Sequence, residues 1–175
     1  LVESGMVAGI LDLTTTEWAD ETVGGVLSAG PNRLDAMSHA KIPAIIAPGC
    51  VDMVNFGARE TVPEVFEGRN FYIHNPQVTL MRTNADECAT IGRIIAEKAN
   101  NNTAPTVILN PLRAISEING VGKPFHDPIA DEALFSTIHK NATVEVIDYD
   151  LEINDPSFSA AAANKLLEII EKHSS

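Results

Sequence analysis

Short apolar runs alternate with amphipathic helical patterns along the chain, and this alternation constrains the fold more than any other feature. The first run, residues 7–13 (VAGILDL), is almost continuously apolar, which is typical of a strand buried on both faces of a parallel sheet. Further runs lie at residues 41–47, 69–74, 106–109 and 143–147, and helical patterns at residues 85–100, 131–140 and 156–172. The alternation predicts an α/β fold, namely an open, mainly parallel, doubly wound sheet of the Rossmann or flavodoxin type with helices on both faces. Residues 54–67 are predicted to be irregular.

Several of the predicted helices carry recognisable start signals. Asn84 with Glu87, and Thr14 with Glu17, have the spacing of a capping box, in which a side-chain oxygen and a carboxylate satisfy each other's free backbone amides. For Thr14 and Glu17 this structural role is the alternative to contact with a ligand. Asp127 precedes a proline, and this pair predicts an N-cap followed by the first helical residue. We therefore interpret Asp127 as a helix cap rather than a catalytic group.

The length and charge of the chain limit its class. Its 175 residues, 45% of them hydrophobic, are enough for a sizeable core, and we predict a single α/β domain over residues 1–175. The formal net charge of −12 argues against a nucleic-acid or anionic-membrane partner. No apolar run approaches the roughly 20 residues of a membrane span. Two isolated cysteines, Cys50 and Cys88, favour a reducing compartment, so we expect a cytoplasmic protein.

The segment at residues 110–128 (NPLRAISEINGVGKPFHDP) follows a predicted strand and has no clear period. Loops of this length inside a compact domain are usually functional or disordered. Disorder fits poorly, because the segment carries five large apolar residues that favour burial. These are Leu112, Ile115, Ile118, Val121 and Phe125. Since Arg113 and His126 lie among them, we predict that this segment is folded and forms one wall of a binding site.

Ligands of open α/β sheets bind outside the carboxyl ends of the strands. Polar residues follow the predicted strands repeatedly, so we expect a site at that edge. The candidate ligand-binding residues are Thr14, Thr15, Thr16, Gly49, Asn55, Arg82, Asn110 and Arg113. The threonine run precedes a predicted helix, whose free amides and dipole favour an anion. Arg82 and Arg113 stand in charge-poor segments and need a planar anionic partner, which is either a ligand or an acidic side chain of the chain itself. The pattern predicts a small anionic ligand.

His126 is the best candidate for a proton carrier, with Glu17 or Asp52 as a second carboxylate. The alternative for His126 is a solvent-facing loop histidine. Cys50 is a conceivable nucleophile, but a free cysteine is more commonly a small buried apolar residue. No metal-ligand spacing and neither standard nucleotide fingerprint is present, so the sequence predicts no metal site and leaves open whether the domain is an enzyme.

Five sequence blocks resemble an uncharacterised bacterial and fungal protein family, which is also similar to the N-terminal inhibitory region of the tobamovirus-resistance protein of tomato. The blocks span nearly the whole chain, and the fourth and fifth are the most specific. They are DLTTTE (12–17), GVLSAGP (25–31), PG with DMVNFG (48–57), HNPQVTLMRT (74–83) and PFHDP (124–128).

The resemblance implies a longer protein with two α/β domains, of which this chain is most of the second, without that domain's opening strand–helix unit. The plant relative binds ATP, mainly on the first domain, so the resemblance leaves the cofactor unknown: it allows ATP and Mg²⁺ in the full-length protein, and we do not expect this domain alone to hold them. Cys50 stands where relatives often have a small residue, which weakens it as a nucleophile. The expected partners are a small anionic molecule, the missing N-terminal domain and a second copy of the chain. An alternative function is a non-catalytic dimerisation or protein-interaction module, as in the plant relative, which blocks viral replication proteins.

Overall fold

The computed structural model describes residues 2–173, which form two β-sheets with flanking helices. The strands are β1 (Ile10–Thr14), β2 (Ala44–Gly49), β3 (Met53–Phe56), β4 (Phe71–Asn75), β5 (Val78–Arg82), β6 (Thr106–Pro111) and β7 (Glu145–Tyr149). The helices are α1 (Glu17–Val23), α2 (Asp35–Ala40), α3 (Ala85–Asn100), α4 (Pro128–Asn141) and α5 (Pro156–His173), and short 3-10 turns occur at Val2–Ser4, Arg59–Thr61 and Glu64–Phe66.

The main sheet has the order β1-β2-β6-β7, and all three strand pairs are parallel. Successive side chains of β2 and β6 point alternately into two apolar layers, one on each face of the main sheet. Ile46 and Ile108 pack with α1 to α4, whereas Ile45 and Val107 pack with Phe158 and its neighbours on α5. Helices therefore cover both faces, which confirms the predicted α/β fold with a mainly parallel sheet.

A second sheet, with the order β3-β5-β4, is antiparallel and lies between β2 and α3 in the chain. The sequence missed it in two respects. Residues 53–56 form a strand where irregular structure was predicted, and residues 71–75 pair with β5 instead of joining the parallel sheet. The cause is a tight turn after Asn75, whose side-chain oxygen accepts a hydrogen bond from the Gln77 amide at 2.9 Å and returns the chain as a hairpin.

The helix-start predictions have mixed outcomes. The Asn84–Glu87 capping box is present with both of its hydrogen bonds, and Asp127 caps α4 by accepting from two amides of its first turn. The prediction of a capping box formed by Thr14 and Glu17 is wrong. Thr14 ends β1, the cap of α1 is Thr16 without a side-chain bond, and the Glu17 carboxylate instead accepts from the guanidinium of Arg33.

Candidate functional site

The 110–128 loop is folded against the protein by backbone and side-chain contacts. The Cys50 amide donates to the Ile115 carbonyl at 2.8 Å, and the Leu112 amide donates to the Tyr149 carbonyl at 2.9 Å, so the loop extends the main sheet beyond its strands. Ile115 and Phe125 are fully buried, as predicted, and Ile118 is half-buried. Burial was wrongly predicted for the other two apolar residues of the loop, Leu112 and Val121, which are exposed.

Those two exposed residues line a groove of about 640 Å³ that opens outside the carboxyl ends of β6 and β7. Its other wall is the beginning of α4. The residues that line it are Leu112, Arg113, Val121, His126, Pro128, Asp131, Glu132, Phe135 and Glu152. The groove therefore lies at the predicted sheet edge, and the 110–128 loop forms part of its wall.

Arg113 lies at the groove with an exposed guanidinium. Its Nε and Nη2 donate to the two carboxylate oxygens of Asp150, each at 2.8 Å. This bidentate bond raises the pKa of Arg113 and lowers the pKa of Asp150. It also fixes the plane of the guanidinium at the groove, as the fork geometry of an arginine–carboxylate pair requires.

His126 is also exposed at the groove. Its backbone amide donates to the Lys123 carbonyl at 3.1 Å, which shapes the last turn of the loop. Oδ1 of the neighbouring Asp127 accepts from the amides of Ile129 and Ala130, both at 3.1 Å, so that oxygen caps α4, as predicted, and does not orient the His126 ring.

Arg82 lies beneath the loop and not in the groove. Its guanidinium is 4% exposed and donates to Asp131 at 2.6 Å, to the Phe125 carbonyl at 2.8 Å and to the Thr83 hydroxyl at 3.1 Å. Burial raises the pKa of Asp131, against the opposing effect of the nearby guanidinium. Of the two partners that the sequence allowed for Arg82, the acidic side chain of the chain itself is the one present.

Asp52 is fully buried under the same loop. Its Oδ2 accepts a 2.7 Å hydrogen bond from the Ser116 hydroxyl, while Oδ1 is buried and has no hydrogen-bond partner among the residues described. Burial raises the pKa of Asp52 to about 6, although the Ser116 bond and the charge of Arg82 act in the opposite direction. Asp52 does not line the groove and is separated from solvent.

The candidates near β1 form a separate polar cluster. Glu17 shares Arg33 with Asp12, whose two oxygens lie 2.6 and 2.9 Å from the guanidinium. The buried Thr15 hydroxyl donates to the Ala47 carbonyl at 3.1 Å. Arg33 was not singled out from the sequence, because no local pattern joins residue 33 to residues 12 and 17.

The remaining candidates also have internal partners. Gly49 packs so closely on β1 that an added Cβ would lie 2.1 Å from the Leu13 carbonyl oxygen. The side-chain Nδ2 of Asn55 donates to the buried Asp20 at 2.8 Å, and burial raises the pKa of that carboxyl. The side chain of Asn110 donates to Asp148 at 3.0 Å. The groove thus brings together only Arg113 and His126 of the residues selected from sequence.

Glu132 and Glu152 were missed as groove residues. Glu152 follows β7 at the sheet edge, the signal that selected the other candidates, so its position was recoverable from sequence. Glu132 sits on an exposed face of α4 and carries no signal before the helix is placed. Within residues 2–173, no group of three or more His, Cys, Asp or Glu side chains is arranged to hold a metal ion. In the same range, no helix is long and apolar enough to cross a membrane.

Comparison with known proteins places this fold in a family. A model of the C-terminal domain of an uncharacterised protein family, UPF0261, matches residues 1–170. A UPF0261 protein of Clostridium tetani is 48% identical over 98% of this chain and 43% of its own length. A UPF0261 protein of Rhizobium meliloti is 45% identical over 93% of this chain and 42% of its length. The ToMV resistance protein Tm-1(GCR237) of Solanum lycopersicum is 38% identical over 98% of this chain and 23% of its length.

The chain therefore spans less than half the length of these relatives. The family match covers nearly all of its residues, and the predicted resemblance is confirmed. The chain belongs to the uncharacterised protein family UPF0261 and contains that family's C-terminal domain.

Proposed function

We propose that this domain binds a small polar molecule with an acidic group in the groove between the carboxyl ends of β6 and β7 and the start of α4. One observation carries the proposal: the groove is lined by Arg113, which the sequence pattern selected for a ligand, and by His126, which it selected as a proton carrier. Its volume is in the range of small-molecule sites, roughly 300–1,000 Å³. Its position is the one that open α/β sheets use for ligands.

The way in which Arg113 is held supports this role. Asp150 uses Nε and Nη2, whereas Nη1 makes no hydrogen bond to the residues described, so it can donate to a ligand. The carboxylate keeps the guanidinium in one orientation, which lowers the entropy cost of gripping an anion. His126 supplies a second donor when protonated. Should the domain catalyse a reaction, His126 is the proton carrier, because Glu17 and Asp52 lie away from the groove.

The test is a thermal-shift and calorimetric screen of the chain against phosphorylated and carboxylated small acids and nucleotides. For an acid that binds the groove, we expect Arg113→Ala to weaken binding by about tenfold or more, the effect of one charge-assisted hydrogen bond. The matched control is Arg93→Ala, which removes an exposed arginine of α3 paired with Glu97 outside the groove. Equal binding by wild type and Arg113→Ala for every acid that binds contradicts the proposal.

A second candidate function is the protein-interaction module, and the edge of the antiparallel sheet favours it. β4 is an outer strand, and Ile73 on it is 61% exposed. Outer strands offer unpaired backbone groups to another chain. If β4 pairs with a second copy, Ile73→Lys converts a dimer into a monomer in sedimentation-velocity runs, and Val65→Lys, a matched change at another exposed apolar residue, does not. A monomeric wild type at all concentrations excludes this form of self-association.

A further inference from the structure

We infer that the ligand of the groove carries an amino group as well as its acidic group. This inference rests on the proposed small-molecule site and narrows its ligand class. The observation behind it is the sign of the lining charges. Arg113 and His126 are opposed by three carboxylates, which are those of Asp131, Glu132 and Glu152.

The three carboxylates are not equivalent. Asp131 is neutralised from below by the buried guanidinium of Arg82 at 2.6 Å. Glu132 and Glu152 are exposed, and within residues 2–173 neither side chain forms a salt bridge or a hydrogen bond, although the charge of Glu152 acts on Arg113 at longer range and helps to raise its pKa. They therefore remain available as acceptors for a cationic group inside the groove.

The positions of these two carboxylates place them on both sides of the groove. Glu132 projects from the second turn of α4, and Glu152 follows β7, on the side of Arg113. The Glu152 carboxylate leans toward the 110–128 loop, since a methyl group added at Gly120 would lie 3.7 Å from its Oε1. Arg113 is itself partly neutralised by Asp150, so the groove as a whole is not a cationic site.

A purely anionic ligand meets unfavourable charge here, because like charges brought together at a binding surface oppose association. A ligand with an ammonium group pairs with Glu152 or Glu132 while its acidic group reaches Nη1 of Arg113. Leu112, Val121 and Phe135 supply apolar surface for a carbon skeleton between the two groups. A zwitterion with an apolar body matches the guanidinium, the carboxylates and the apolar surface together. An amino acid with a large aliphatic or aromatic side chain is such a ligand.

The test uses L-leucine and L-phenylalanine in three forms: the free amino acid, the N-acetyl acid without the ammonium group, and the amide without the carboxylate. Calorimetric titration of the 175-residue chain gives the affinities. We expect the free amino acid to bind at least about tenfold more tightly than either blocked form, since each block removes one charge-assisted bond. We expect Glu152→Gln to weaken the binding of the free amino acid and of the amide, but not the binding of the N-acetyl acid.

Glu64→Gln is the control for the change in net charge, because Glu64 is exposed in a 3-10 turn that does not line the groove. Gly120→Ala is a second probe, because its methyl group meets only ordinary contacts of 3.6 Å or more and would lie 3.7 Å from Oε1 of Glu152, where it restricts access to that carboxylate. We expect Gly120→Ala to weaken the binding of the free amino acid. Binding of the N-acetyl acid as tight as that of the free amino acid, with loss on Arg113→Ala, overturns the inference and leaves the proposed function standing. Binding of other acids but of no zwitterion also overturns the inference, and absence of any Arg113-dependent binding overturns both.

Discussion

Arg82→Met is expected to lower the free energy of unfolding by about 3–5 kcal/mol, the cost of removing one partner from a buried ion pair. Arg82 is 4% exposed, and its loss leaves Asp131 without its cation and the Phe125 carbonyl with the longer 3.4 Å hydrogen bond from the Asn119 side chain. The methionine keeps most of the volume, so the effect is electrostatic and not a cavity. Urea denaturation followed by far-UV circular dichroism measures it.

Two comparisons separate this effect from general damage. Arg93→Met removes an exposed arginine paired four residues away on α3, and little change is expected because such surface pairs contribute at most about 1 kcal/mol. The double variant Arg82→Met with Asp131→Leu removes both charges, so part of the lost stability should return. A loss below about 1 kcal/mol for Arg82→Met alone contradicts the assignment of Arg82 as a buried support of the loop.

The same ion pair explains why the sequence selected both arginines but did not distinguish their roles. Asp131 is separated from Arg82 by 49 residues, and nothing local to either residue announces the pairing. A charge-poor surrounding predicts only that an arginine needs a partner. Whether that partner is a ligand or a carboxylate is decided by the placement of α4 beside Arg82 at the end of β5, which no periodic pattern of the sequence indicates.

Features with their own local signal were predictable. The Asn84–Glu87 capping box and the buried stripe of α3 depend on residues three or four positions apart, so the sequence contains the whole interaction. The Thr14–Glu17 pattern has the same spacing and failed, because Arg33 competes for the carboxylate from 16 residues away. The antiparallel sheet was missed for a related reason: the short β3 is paired with β5 across an intervening segment and lacks a strong alternation of its own.

The wall of the groove has one feature that the sequence predicted and one that it did not. Its position at the sheet edge followed from the order of strands and helices alone. The burial of Phe125 and the exposure of Val121, four residues earlier in the same loop, did not, since both are large and apolar. That difference depends on which residue meets Tyr72 of β4, whose ring centroid lies 6.4 Å from that of Phe125.

The free energy of unfolding is expected to fall as the pH rises through about 6, and Asp52 is the main identifiable cause. Its folded pKa is raised from 3.8 to about 6 by complete burial, and one of its oxygens lacks a hydrogen bond within the described part of the chain. A raised carboxyl pKa means that the folded state holds the proton more tightly than the unfolded state. The contribution of Asp52 to the free energy of unfolding is therefore fully present below its unfolded pKa and is lost as the pH rises through its folded pKa. For a pKa shift of this size, that contribution is about 3 kcal/mol.

Asp52→Asn removes this ionisation and keeps an oxygen to accept from the Ser116 hydroxyl. The informative quantity is the difference in unfolding free energy between variant and wild type, measured by urea denaturation from about pH 4.5 to about pH 7.5. It should shift in favour of the variant by about 2 of the roughly 3 kcal/mol over that range, because only the wild type buries a charge as the pH rises. Asp150→Asn is the control with the opposite sign, because Arg113 lowers the pKa of that exposed carboxyl. We therefore expect no increase in the stability of Asp150→Asn relative to wild type as the pH rises. A difference for Asp52→Asn that stays constant with pH means that Asp52 ionises normally in the folded protein. The loop would then cover a hydrated carboxylate and not a buried one.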